Sequence, residues 1–129
     1  QAAILSVKLP HISKWNSQRL EKARYYNKML DGIVVTPKIR ENAKHIFHLY
    51  VIRSSDRDGL SGFLRENGVD TGIHYPTPLP FLKAYEYLNH KPEDFPVASR
   101  YQNEILSLPM YPELPQKGIE KVCELIRPI

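Results

Sequence analysis

The chain holds one cysteine, Cys123, among its 129 residues. A lone thiol excludes an internal disulfide and a cysteine-based zinc site, and it points to a reducing compartment. Long apolar runs are absent too: none approaches the ~20 residues that cross a bilayer. The N-terminus lacks the charged-then-apolar pattern of a signal peptide, and no Asn-x-Ser/Thr acceptor occurs. These absences predict a soluble, cytoplasmic protein. Glycine is scarce and proline is not, 6 against 11, so the connections should be stiff. There is no GxGxxG, Walker loop, HExxH or GxSxG. Eighteen Lys and Arg against fourteen Asp and Glu leave +4, with no run of like charge to serve as a nucleic-acid arm.

What is present reads as one globular domain. Apolar residues make up 42% and charged residues 25%, ordinary values for a packed fold. A chain of this length buries roughly two-thirds of its unfolded surface, enough for one core. Residues 1–9 read as a helix stopped by Pro10. That helix opens inside an apolar pattern, Ala2-Ala3-Ile4-Leu5, with no capping residue before it, which suggests a fragment of a longer chain. Residues 12–30 carry Ile12, Trp15, Ala23, Tyr26 and Leu30 at helical spacing, and Asp31-Gly32 should end that helix.

The run His45 to Arg53 is rich in β-branched and aromatic residues and reads as a central strand. On it, His45 and His48 should point to opposite faces, a poor arrangement for ligands. Asp56 should cap a helix bearing Leu60, Phe63 and Leu64, closed by Asn67-Gly68. Val69 to Tyr75 is a second strand candidate. A short helix is expected near 81–88, another over 96–106, and an added edge strand at Ser107-Leu108-Pro109. The last helix should run from Pro115 to Arg127, with Ile119, Val122, Cys123 and Ile126 on its apolar stripe and Pro128 as its stop. Cys123 then belongs to the core. The order predicts an α/β (α+β) unit, a small sheet of about three strands covered by helices.

The segment Gly72-Ile73-His74-Tyr75-Pro76-Thr77-Pro78-Leu79-Pro80 carries the chemistry. A strand end presents His and Tyr, and a proline-stiffened loop holds them. His74 can donate, accept or carry charge, and Tyr75 can donate at neutral pH. On residue chemistry alone the corner is a binding site or a wet strand end.

GIHYPTPLPFLKAY, followed by DFPVASRYQNEILSLPMYPEL, resembles the C-terminal segment of the DegT/DnrJ/EryC1/StrS family. QAAILSVKLPHISKWNSQRLEKARYYNKML is similar to the helix that enters that family's small domain. HIFHLYVIRSSDRDGLSGFLRENGVDTGIHYP is similar to its strand–helix–strand unit. The resemblance implies pyridoxal 5'-phosphate-dependent aminotransferases with the aspartate-aminotransferase fold (fold type I), of which residues 1–129 would be the small C-terminal domain and 1–30 the connecting helical segment. The large cofactor domain would lie outside this chain, with the Schiff-base lysine and most of the phosphate cradle. Lys8, Lys14, Lys22 and Lys28 do not match that lysine and read as helix surface. No catalytic or cofactor-binding residue is then expected here.

The resemblance further implies a homodimer that shares its active sites. An asparagine that contacts the cofactor phosphate would lie just upstream of Gln1. The substrates would be glutamate and a nucleotide-linked keto sugar, in deoxyamino-sugar or polysaccharide biosynthesis, with no nucleic acid, membrane or metal involved. The family's His-Tyr pair falls on His74 and Tyr75, which would line the sugar-nucleotide side of the pocket. Many members carry His where this chain has Pro80, a departure that bears on substrate subtype and not on membership. The rival reading is a standalone, non-catalytic module that holds a nucleotide sugar or another phosphorylated ligand.

Overall fold

A computed structural model describes residues 1–127. Seven regular elements occur in the order α1 (Ala2–Lys8), α2 (Ile12–Met29), β1 (Tyr50–Arg53), α3 (Arg57–Glu66), α4 (Pro96–Glu104), β2 (Ile105–Leu108) and α5 (Gln116–Ile126). The expected stop at Pro128 lies outside the described residues. The first α-helix ends at Lys8, before Pro10 as expected, but the chain stays helical past the proline. It sits in the first turn of a 3-10 segment, Leu9–His11, that passes directly into α2. Proline is tolerated there because first-turn N–H groups have no intrahelical partner anyway. Ile12, expected on the packed stripe, stays exposed, and Trp15 is half-buried with its ring 5.6 Å from His11.

The sheet is smaller than expected. Strand β1 pairs antiparallel with β2, from Tyr50 opposite Leu108 to Arg53 opposite Ile105. The predicted strand over 45–53 is formed only over its last four residues. Before Tyr50 the chain turns: Phe47 adopts φ 48° and is buried, and its N–H donates to Nδ1 of His45. His45 and His48 therefore lie in a loop, and the two-face reading of them does not apply. The second strand candidate, 69–75, shrinks to one bridge, Gly72 opposite Ser107. Another single bridge, Val35 opposite Arg53, flanks β1. Thus the piece at 107–109 is not an added edge strand. Ser107 and Leu108 belong to β2, which begins at Ile105 where α4 ends and lies between β1 and the bridge at Gly72, and Pro109 falls beyond it. The helix expected over 96–106 accordingly stops at Glu104.

The junction of α4 and β2 is held by Arg57. Its guanidinium is buried and donates to the carbonyls of Gln102 and Ile105, at 3.1 and 3.3 Å. Those carbonyls sit at a helix end, where backbone acceptors lack partners within the helix. Helix α3 starts as the sequence predicts. Asp56 accepts from the Gly59 N–H, and after Asn67 the chain turns through Gly68 at φ 74°, which a side chain would resist. The N–H groups of Gly68 and Val69 return to the carbonyls of Arg65 and Leu64, closing the last turn.

The core lies between the sheet and helices α2, α3 and α5. Tyr26, Leu30, Tyr50, Ile52, Leu60, Leu64, Leu106 and the α5 stripe are buried together. Tyr26 stacks on Tyr50 at 4.6 Å, and their hydroxyls donate to the Pro109 carbonyl and to Oδ1 of Asn27. Buried phenols must find such acceptors. The proline-rich stretch and its sequel form 3-10 turns, Leu79–Phe81, Lys83–Leu88 and Pro92–Asp94, in place of the α-helix expected near 81–88, and none of the three buries a residue.

Candidate functional site at the His74–Tyr75 corner

The bridge between Gly72 and Ser107 places the corner. The Ser107 N–H donates to the Gly72 carbonyl at 2.7 Å, and the Gly72 N–H returns to the Ser107 carbonyl at 3.0 Å. Two residues later the chain leaves the sheet at His74, joined to Tyr75 by a cis peptide bond. The His74 ring folds back over Gly72. A Cβ at position 72 would lie 2.6 Å from Cε1 of that ring, so only glycine leaves room for it. Nδ1 of His74 sits 2.9 Å from the Ser107 hydroxyl. The Tyr75 ring meets His74 edge-on at 5.7 Å, and Tyr75 itself is 74% exposed.

Two depressions flank this corner. One is an open groove of about 260 Å³ lined by His48, Asp70, His74, Ser107 and their neighbours. The other is an apolar pocket of about 530 Å³ between the proline loop and α4, lined by Tyr75, Pro78, Leu82, Ala98, Tyr101 and Ile105. Arg53 lies over the Tyr101 ring at 4.2 Å, and Glu104 holds both Arg53 and Arg100 at 3.5 Å. The corner thus joins two hydrogen-bonding side chains to an apolar wall, an arrangement suited to a ligand with both polar and apolar parts.

The remaining groups serve packing. Cys123 is fully buried, and burial pushes its thiol up to about 11, the opposite of what a nucleophile needs. Burial likewise raises Tyr26 and Tyr50. At the surface, Tyr25 donates to Glu120 at 2.8 Å and joins α2 to α5. That bond is the main cause of the raised tyrosine and the lowered carboxyl. Among the described residues no cluster could hold a metal ion, and no helix is long and apolar enough to cross a membrane. Lys8, Lys14 and Lys28 are exposed and Lys22 is half-buried.

His74 and Tyr75 are chain neighbours, and the structure sets beside His74 a third residue, Ser107, which sequence reasoning places only in a short strand. A signal was available. Ser107 is a lone hydroxyl between Leu106 and Leu108 in a buried strand, and a buried polar group demands a partner.

The model of the DegT/DnrJ/EryC1/StrS aminotransferase family matches residues 1–127. The pleiotropic regulatory protein of Geobacillus stearothermophilus is 42% identical, over 98% of this chain and 36% of its own length. The dTDP-3-amino-3,6-dideoxy-alpha-D-galactopyranose transaminase of Aneurinibacillus thermoaerophilus is 34% identical, over 98% of this chain and 34% of its own. Among solved structures, Streptomyces venezuelae DesV in complex with a ketimine intermediate superposes with a TM-score of 0.95 at 31% identity, covering 99% of this chain and 35% of that one. The chain therefore spans about a third of the length of the relatives it matches. Its α/β fold is that of one part of the fold type I aminotransferases.

Pyridoxal phosphate is the cofactor of this family. Its aldehyde takes an amine, and its phosphate takes cationic or backbone donors. No lysine or arginine lines the groove at His74 or the apolar pocket beside Tyr75. The two depressions at this corner do not by themselves fit the cofactor. Fold and sequence nonetheless agree along nearly the full chain, and the chain belongs to the DegT/DnrJ/EryC1/StrS aminotransferase family.

Proposed function

We propose that residues 1–129 are the small C-terminal domain of a pyridoxal-phosphate-dependent sugar aminotransferase, with 1–30 as the connecting helical segment. The whole enzyme transfers an amino group from glutamate to a keto nucleotide sugar, in the cytoplasm, as a homodimer with shared active sites. The observation that carries this reading is the match of 98% of the chain to one third of a dTDP-sugar transaminase. Schiff-base lysine and phosphate cradle lie in the large domain outside these residues. Within the chain, His74 and Tyr75 contact the sugar nucleotide by hydrogen bonds and take no part as the base. The apolar wall from Pro78 to Tyr101 limits water at that side of the ligand.

The test uses the full polypeptide that carries this chain. Its mass on an immunoblot should exceed twice the 15.0 kDa of these residues. It should transaminate a keto nucleotide sugar with glutamate, whereas the 129-residue chain alone should not turn over. His74→Ala should raise KM for the sugar about tenfold, the scale of one lost hydrogen bond, and leave the cofactor's absorbance unchanged. Lost absorbance would move His74 to the cofactor. A natural polypeptide of only 15.0 kDa that binds a nucleotide sugar without turnover would replace this reading with a standalone binding module.

A further inference from the structure

We propose that Ser107 is a positioning residue for His74. Its hydroxyl fixes the ring and selects the neutral tautomer that carries its proton on Nε2, so that the corner offers Nε2–H to the ligand as a donor. The functional meaning of this rests on the reading of His74 as a sugar-nucleotide contact. The tautomer itself does not.

Ser107 occupies the position in β2 that is paired on both sides, with Val51 across the ladder and with Gly72 across the bridge. Both of its backbone groups are used by Gly72, at 2.7 and 3.0 Å. Its Cα therefore has no freedom to follow a moving ring. Its side chain is buried, at 5% exposure, and among the described residues Nδ1 of His74 is the hydroxyl's partner, at 2.9 Å. A buried hydroxyl must place its proton on an acceptor. Nδ1 accepts only when Nε2 carries the imidazole proton. The opposite arrangement, Nδ1–H donating to Oγ, leaves the serine proton buried with no acceptor. Hydrogen-bond accounting selects the Nε2–H form.

Gly72 completes the device from the other side. The ring lies where a Cβ at 72 would be, 2.6 Å from Cε1 and 3.3 Å from Nδ1, so the ring rests directly on backbone. One edge is pinned to the sheet and the other edge faces solvent, with His74 exposed. Nε2 has no partner among the described residues, and neither has the hydroxyl of Tyr75, whose ring centroid lies 5.7 Å from that of His74. Donors on neighbouring residues without an acceptor call for an oxygen-rich ligand, a phosphate, carbonyl or sugar hydroxyl. Such positioning by a partner of the opposite ring nitrogen is the ordinary means of orienting an imidazole.

The experiment reads the tautomer directly. The full polypeptide is labelled with nitrogen-15 histidine, and long-range proton–nitrogen spectra are taken in mildly alkaline buffer, where ordinary imidazoles are neutral. The His74 signals are identified by their loss in His74→Gln. The expected pattern is a single form with bare Nδ1 and protonated Nε2. In Ser107→Ala it should relax to the mixture of a free imidazole. In steady-state assays Ser107→Ala should raise KM for the sugar nucleotide about fivefold, with kcat and the KM for glutamate unchanged. Ser107→Thr, which keeps the hydroxyl, should restore both readouts. Gly72→Ala, which displaces the ring while leaving the serine intact, should reproduce the KM change even if the threonine variant does not fold. An Nδ1–H form in the unaltered protein, or spectra unmoved by Ser107→Ala, overturns the proposal. A silent His74→Ala in the KM assay sinks the substrate contact instead, and the spectra then decide Ser107 on their own.

Discussion

Helices α1 and α5 carry similar apolar stripes and meet opposite fates. In α5, Ile119, Val122, Cys123 and Ile126 are all buried against α2 and α3. In α1, Ile4, Leu5 and Val7 stand 60–71% exposed, and no residue of the helix is buried. Periodicity reveals that a helix has an apolar face. It says nothing of what covers that face. Stability in this chain should therefore follow the packed half and ignore α1.

The largest effect should come from Val122→Asp. A carboxylate placed among the core residues of α5 has no partner, and the cost should be about 3–5 kcal/mol. Thermal melting of the 129-residue chain should lose its cooperative transition. An unshifted melting curve would break the contrast at its strong end.

Next is pH. The buried face of α5 contains a thiol, whereas α1 buries no residue at all. Cys123 ionises at about 11 in the fold against 9.0 ordinarily, because burial disfavours the thiolate. A raised folded value means that the stabilisation is whole below pH 9.0 and is lost as pH climbs toward 11. Tyr26 and Tyr50, raised by burial, act in the same direction at higher pH. The unfolding free energy from urea titration should fall through this window by an amount on the order of 2 kcal/mol, lowering the midpoint, and Cys123→Ala should flatten its first part. A midpoint that holds steady through the same range would mean that the thiol is wet.

Smaller still is Asp56→Ala, which removes the cap on Gly59 at the start of α3. Loss of such a cap costs about 1 kcal/mol in urea titration. The smallest should be Val7→Asp in α1, within about 0.5 kcal/mol. A loss of several kcal/mol there would show that a second copy covers α1 in solution and would erase the contrast.

The same physics decides what was legible in the sequence. Helices α2, α3 and α5 could be read because one period holds along each, and α3 also because Asp56, Asn67 and Gly68 mark its ends. The strands could not, because composition carries no register. His45 to Leu49 look β-forming, yet they are taken up by a turn in which His45 accepts the Phe47 N–H. Ile105 follows Glu104 with no breaker between helix and strand, since Arg57, far away in sequence, supplies the cap on those carbonyls. His74 and Tyr75 were legible as polar groups beside stiff prolines. What Ser107 does for them was not, because their meeting spans 33 positions and depends on the bridge at Gly72.

That separation has a consequence for the order of assembly. Strands β1 and β2 lie on either side of a long excursion, from Arg53 to Ile105, and pairing them closes the largest loop in the sheet. Closing long loops is paid in chain entropy before any contact rewards it, so such pairings come late in folding. The His74–Ser107 contact hangs on β2 and so belongs to that last step. The chain completes its His74–Tyr75 corner only when its most distant parts have met, and amide protons at Gly72 and Ser107 should exchange no more slowly than those of the β1–β2 ladder itself.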